Sequence, residues 1–192
     1  MKHDFQIIAP KNMETIEWAS GTSCELFISP KSARFSKKNF DFRLSIATVE
    51  DNSSIFTELP KIKRTTLVLE GETTLSHKEQ YTKHLKRFDQ DTYNGDWATS
   101  SEGKSTNFNL MTRGSVQSEV KANSLEKDEQ LACPTNGGQA SVYVHNGRIA
   151  VVMMNDAEVV EAGSLFVLPS TIPLVIVKAL EESELIITHI SK

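Results

Sequence analysis

Cysteine is scarce. Cys24 and Cys133 are the only two in 192 residues. They form no CxxC pair and are too few for the disulfide framework of a small secreted domain, so they read as free thiols of a reducing compartment. Long apolar runs are missing too. None approaches the roughly 20 residues a membrane-spanning helix needs, so no membrane partner is expected. The start, MKHDFQIIAP, has no extended apolar stretch ahead of a small-residue cleavage site, so no secretory signal is expected and the location reads as cytoplasmic. A basic excess is also absent. Lys and Arg number 21 against 25 Asp and Glu, for a formal charge of −4 and a pI near 5.8. Nucleic-acid binders are normally basic, so nucleic acid is not an expected partner, and the local KSARFSKK run (31–38) reads as a solvated edge.

Motifs of familiar catalysis are equally thin. There is no GxSxG, and Gly163-Ser164 reads as a turn. Asn136-Gly137-Gly138 lacks the Lys-Ser/Thr of a phosphate-binding loop. The five histidines (His3, His77, His84, His145 and His189) contain no HxH pair. Helical signals are few. KEQYTKHLK (78–86) places Tyr81 and Leu85 four apart, which fits one or two helical turns or equally a loop.

What remains is strand after strand. Polar Glu50–Ser54 separates two apolar runs, RTTLVLEGETTL pivots near Glu70-Gly71-Glu72, and SVYVHNGRIAVVMM carries Asn146-Gly147 between β-rich flanks. The last two read as hairpins. Three more strands follow, split at Pro169–Pro173 and Glu181–Ser183. Many short strands with regular turns indicate an all-β sandwich or barrel. Polar 117–130 reads as a connecting segment between a first half, 1–116, and a second, 131–192, with a weak internal repeat between them.

Two segments have informative faces. In FDFRLSIA (40–47), Phe40, Phe42, Leu44 and Ile46 point one way; Asp41, Arg43, Ser45 and Ala47 point the other. In NFNLMTRG (107–114), Phe108 and Leu110 share one face, while Asn107, Asn109, Met111 and Arg113 share the opposite one. Arginine, asparagine and small residues are unlike an ordinary solvated face. A guanidinium presents a planar fork of donors to a carboxylate, and amides fix orientation. Arg43, Ser45, Asn107, Asn109 and Arg113 are therefore candidate ligand-binding residues inside a barrel. The alternative role for these arginines is to tie down strand ends.

Together with WASGT (18–22), FTELPKIKR (56–64), LEGETTL (69–75) and YNGD (93–96), these two segments occur in an order that resembles the HutD/Ves family over about the first 115 residues. Lys61 stands where that family usually has a glycine, and Asn107 where an acidic residue is common. The resemblance implies a bicupin: two cupin-like β-barrels or sandwiches of the RmlC-like jelly-roll kind in one chain. It implies a regulator associated with bacterial histidine utilisation that binds a pathway metabolite such as urocanate or formylglutamate. It also adds Arg64, which matches a family arginine, with Trp18 and Thr22 at a cavity mouth. Metal-dependent cupins commonly carry HxH, an acidic residue and a later histidine; without that set no metal or other cofactor is expected. The fold class makes a homodimer an expectation.

The leading reading is a metal-free sensor of a small anionic metabolite. The alternative is a metal-independent isomerase or epimerase, for which Asp41 and His145 are the candidate bases.

Overall fold

A computed structural model describes residues 5–153 and 156–191. Within them the regular structure is β, with two short 3-10 turns at Pro10–Asn12 and Phe35–Lys37 and no α-helix. No helix there is long and apolar enough to cross a membrane. The strands are β1 (Gln6–Ile8), β2 (Glu14–Trp18), β3 (Gly21–Ser29), β4 (Phe42–Val49), β5 (Ser53–Ile55), β6 (Ile62–Gly71) and β7 (Thr73–His77). They continue with β8 (Tyr81–Leu85), β9 (Gln90–Asn94), β10 (Thr99–Glu102), β11 (Ser105–Arg113), β12 (Gln117–Leu125) and β13 (Gln130–Pro134). The last six are β14 (Gln139–Asn146), β15 (Arg148–Met153), β16 (Asp156–Glu161), β17 (Leu165–Leu168), β18 (Leu174–Ala179) and β19 (Ser183–Ser191).

The chain divides into two units, 13–116 and a second made of 1–12 with 117–192. In the first, a six-stranded sheet runs β2-β3-β4-β11-β6-β9 and a four-stranded sheet runs β5-β10-β7-β8. In the second, a five-stranded sheet runs β1-β17-β14-β19-β12 and a four-stranded sheet runs β13-β18-β15-β16. Strands β4 to β11 and strands β12 to β19 therefore follow one course, eight strands each. The first unit adds β2 and β3 beyond β4, and the second adds β1 beyond β17.

Four local expectations need correcting. Gly71 and Gly147 are not hairpin tips. At each, the chain leaves one sheet and enters the other: β6 and β7 lie in different sheets, as do β14 and β15. Gly71 (φ +73) and Gly147 (φ +80) occupy the left-handed region, and a Cβ there would meet the carbonyl oxygens of Lys104 and Glu182. Asn-Gly chemistry supplies the positive φ that a turn needs but does not choose the next strand's partner. KEQYTKHLK forms no helix: residues 78–80 make a turn, and Tyr81–Leu85 form the sheet-edge strand β8. The polar segment after 116 is more than a connection, because Gln117–Leu125 forms β12 and pairs with β19 throughout. At a sheet edge one flank is open to solvent, so polar residues are tolerated and the hydrophobic signal shrinks to Val120 and Leu125. Likewise residues 1–12 go with the second unit, where β1 pairs with β17.

The common topology permits a residue-by-residue comparison of the two interiors, counted from the corner glycines and from Ser105 and Ser183. In the first unit Asn109 lies between Ser45 and Thr66, and Thr66 pairs with Asp91. In the second Ile187 lies between Lys121 and Val142, and Val142 pairs with Phe166. Asn107, Asn109, Thr66, Arg64 and Asp91 thus correspond to Leu185, Ile187, Val142, Ala140 and Phe166. The second interior is filled by one hydrophobic cluster containing Val142, Val144, Phe166, Leu168, Leu185 and Ile187. Lining a lumen with buried aliphatic side chains stabilises the barrel. The first interior spends the same positions on polar groups, which costs stability unless each finds a partner.

Candidate ligand-binding site

Register places the polar residues of the first unit in rows across the six-stranded sheet. One row reads Ile28, Arg43, Met111, Arg64 and Tyr93. The next reads Glu25, Ser45, Asn109, Thr66 and Asp91, and a third reads Ile16, Ser23, Ala47, Asn107 and Val68. Alternate residues share a face, so these rows form the inner surface. They open onto a cavity of about 200 Å³. Its polar lining is Arg43, Ser45, Arg64, Asn107 and Asn109, with Ser23 and Thr57; Trp18, Phe35, Phe56 and Met111 line its apolar parts. Ile16 and Ile55, both among the exposed large hydrophobics, also border it.

The two arginines are held differently. Arg43 is 4% exposed, donates from Nε to Glu25 Oε2 at 2.7 Å and from Nη1 to Ser45 Oγ at 2.9 Å, and lies 4.4 Å from the Phe35 ring centre. Its charge is already countered. Arg64 lies over Phe56 at 5.0 Å and Tyr93 at 5.5 Å, and its Nη1 reaches the Thr57 carbonyl at 3.3 Å. Its Nε is buried without an acceptor. Among the described residues no carboxylate forms an ion pair with it. Two other polar atoms of lining residues are buried and unpartnered, Trp18 Nε1 and Asn107 Oδ1. Asn107 Nδ2 is assigned to Ser105 Oγ, 3.0 Å away, which leaves Oδ1 as the free acceptor. Asn109 is fixed at both ends: Oδ1 accepts from Thr66 and Nδ2 donates to the Asn107 carbonyl.

Six of the eight residues expected at the site line the cavity: Trp18, Arg43, Ser45, Arg64, Asn107 and Asn109. Arg113 and Thr22 do not. Arg113 has the right strand parity but lies past the end of β4. It is exposed and donates from Nη1 to the Lys38 carbonyl at 2.9 Å. Thr22 pairs with Thr48, which pairs with Thr106, on the opposite face of the sheet. Neither candidate base of the isomerase reading is at the cavity. Asp41 precedes β4, where its backbone bridges Ser29 and Arg113, and His145 belongs to the second unit. Sequence reasoning missed Glu25, Phe35 and Phe56. Glu25 shares its face with Ser23, but only the observed register of β3 against β4 puts it beside Arg43.

A second polar group ties the sheets of this unit together. His77 of β7 contacts Asp91 of β9, Nε2 to Oδ2 at 3.0 Å, and Thr99 of β10, Nδ1 to Oγ1 at 2.9 Å. Tyr81 donates to Asp91 at 3.1 Å, and Lys83 approaches the same carboxylate at 3.5 Å. Rings of Tyr81, Tyr93 and Trp97 surround the imidazole at 4.4–5.7 Å. Thr99, His77 and Asp91 resemble a catalytic triad in outline, but each is buried and none lines the cavity. Their geometry is that of a structural tie. Burial, then the bond to Asp91, pushes the Tyr81 hydroxyl up from 10.0 to about 12. The stability this bond adds is therefore full below pH 10 and lost as pH rises through about 12. Urea midpoints measured from pH 9 to 12 are expected to fall more steeply for the wild type than for Tyr81→Phe.

Both cysteines are free. Burial pushes the Cys133 thiol up to about 11, which leaves almost no thiolate at neutral pH. Among the described residues no three His, Cys, Asp or Glu side chains converge as a metal site requires. The arginine and amide lining does not fit the metal centre that catalytic cupins use.

A family model described as HutD matches residues 10–184. The chain belongs to the HutD family. Solved structures place the HutD chain in the cupin fold. A conserved protein of unknown function from Pseudomonas aeruginosa PAO1 is 16% identical, with 98% of this chain and 100% of that one covered and a TM-score of 0.85. HutD from Pseudomonas fluorescens SBW25, solved in a formate condition, is 14% identical, covers 98% and 100%, and has a TM-score of 0.72. A cupin 2 conserved barrel domain protein from Leptotrichia buccalis is 15% identical, covers 97% and 96%, and has a TM-score of 0.58. No curated protein matches. This chain is thus an all-β bicupin, and its Lys61, where the resemblance leads one to expect glycine, takes a φ of 66°. That is the left-handed conformation glycine adopts without strain.

Proposed function

We propose that the first barrel binds a small organic anion, and that the protein acts as a sensor or regulator of that metabolite rather than as an enzyme. The observation that carries this reading is Arg64: a guanidinium with no acidic partner, its Nε buried and unpartnered, at the wall of a cavity. Leaving such a donor unmet is costly, and an anionic ligand removes the cost. Trp18 Nε1 offers a second donor and Asn107 Oδ1 an acceptor, so a ligand that also carries an N–H or O–H group is favoured. The size suits it, since about 200 Å³ equals roughly seven water volumes. The absence of a free carboxylate or histidine among the lining residues argues against proton abstraction, because Glu25, the nearest carboxylate in the register rows, is bound to Arg43.

Thermal unfolding against a panel of small acids tests this reading. At a hundred times its dissociation constant a ligand adds about 2.7 kcal/mol, which for a chain of this size raises Tm by roughly 5–11 °C. The expected result is a shift with at least one acid. No shift with any acid at millimolar concentration, or turnover of an acid that binds, removes the receptor reading.

A further inference from the structure

We propose that Glu25 sets the charge the cavity accepts, making it a site for monoanions that discriminates against dianions. This rests on the anion-receptor reading and names the ligand class that the same site selects.

The argument is a charge count. The cavity lining holds two formally charged groups, both positive, Arg43 and Arg64. Glu25 is on β3 in the inner row next to that of Arg43, outside the residues that line the cavity, and its Oε2 is 2.7 Å from Arg43 Nε. The Arg43 side chain is 4% exposed and that of Glu25 34%, so solvent screens the pair in part from the Glu25 side, while the 2.7 Å contact holds it together. Ser45 occupies Arg43 Nη1, and Phe35 covers the guanidinium face. Arg43 is therefore an ordered and already neutralised donor. Arg64 is the one remaining positive charge among the lining residues without a carboxylate. Asp91, the other acidic residue of the inner rows, is committed to His77, Tyr81 and Lys83.

One uncompensated charge is matched by one ligand charge. A dianion small enough to enter would bring a second negative charge next to the Arg43–Glu25 pair, where the nearest cation is already engaged. It would either stay unpaired in a confined site or compete with Glu25 for Arg43. An unpaired charge in such surroundings is strongly disfavoured. The apolar remainder of the cavity, Trp18, Phe35, Phe56 and Met111, then suits a short uncharged body rather than a second carboxylate. The ligand class is a monocarboxylate of a few carbons bearing one neutral hydrogen-bonding group.

Glu25 acts through Arg43, so it is a specificity-setting residue rather than a contact, and the decisive readout is a ratio of affinities. Lactate and butyrate serve as monoanions, malonate and succinate as dianions of similar size. All four are titrated calorimetrically at pH 7.5 and low salt into wild-type protein and Glu25→Gln, with folding of the variant checked by circular dichroism. Wild type is expected to bind the better monoanion at least tenfold more tightly than either dianion. Glu25→Gln frees the Arg43 charge and is expected to narrow that ratio at least tenfold, by a gain for the dianions. The wild-type ratio stands by itself if the variant fails to fold. Wild type binding a dianion as tightly as a monoanion, or an unchanged ratio in folded Glu25→Gln, overturns the role of Glu25 and leaves the anion receptor intact. Binding of none of the four overturns both.

Discussion

Arg64→Met should weaken binding of a small monocarboxylate by about one to two decades, the equivalent of losing one charge-assisted hydrogen bond of about 1.5–3 kcal/mol. Methionine keeps an unbranched apolar stem between Phe56 and Tyr93 while removing the charge and the buried Nε donor. That donor has no protein partner, so its loss costs the free protein nothing; the change also removes the long bond to the Thr57 carbonyl and the contacts over the two rings, and Tm without ligand is expected to fall only slightly. Arg43→Met should behave in the opposite way. It strands Glu25 and breaks the bond to Ser45, so it costs stability before it costs affinity. Arg113→Ala removes a tie to the Lys38 carbonyl outside the cavity and should leave affinity unchanged. Calorimetric titration of the three variants beside their unfolding curves separates anchor, scaffold and bystander. Equal affinity of Arg64→Met and wild type would remove Arg64 as the anchor.

Asp91→Ala should cost about 1–3 kcal/mol, the range for leaving buried hydrogen-bonding groups without their partner. The carboxylate is 6% exposed and accepts from Tyr81 and the Thr92 backbone N–H while contacting His77 and Lys83. Its removal leaves a buried imidazole, held on its other side only by Thr99, where β7 faces β9. Urea unfolding at pH 7.5 measures the loss. A cost below 1 kcal/mol would mean that the aromatic rings around His77, and not the polar contacts, hold this junction. Phe166 stands at the same place in the second unit. The same position is thus filled once by a charge network and once by hydrocarbon, and only the barrel with the network has the polar cavity described here.

The site was legible where strand alternation was clean. FRLS and NFNLM each alternate without interruption, and Arg43, Ser45, Asn107 and Asn109 lie on the cavity face that alternation assigns. Trp18 and Arg64 were added by family resemblance, and both line the cavity. Parity says nothing about where a sheet ends, so Arg113 kept its face but lost the cavity. Thr22 fell on the other face because β3 runs opposite to β4, and only the observed register relates their parities. Glu25 needed the same register, because parity within β3 does not say which β4 residue it meets. The corner glycines show a different gap. A positive φ is written in Gly71 and Gly147, but whether the next strand folds back or crosses to the other sheet depends on contacts with Lys104 and Glu182, more than thirty residues away in sequence. Nor did composition reveal that one lumen would be polar and the other filled. Both units are rich in alternating strands, and the difference appears only when Asn107 and Asn109 are set beside Leu185 and Ile187 in a common register.

The most direct test is to watch the side chains themselves. In ¹⁵N-labelled protein, the Nε–H of Arg64 and the indole Nε1–H of Trp18 are buried donors without partners, so a ligand that meets them must move their signals. Titration with lactate or butyrate is expected to shift both, together with amides of β4 and β11, while amides of the filled β14 and β19 stay in place. Saturating acid that leaves the Arg64 and Trp18 signals unmoved, or that shifts only residues beyond 116, would contradict a ligand site in the first barrel.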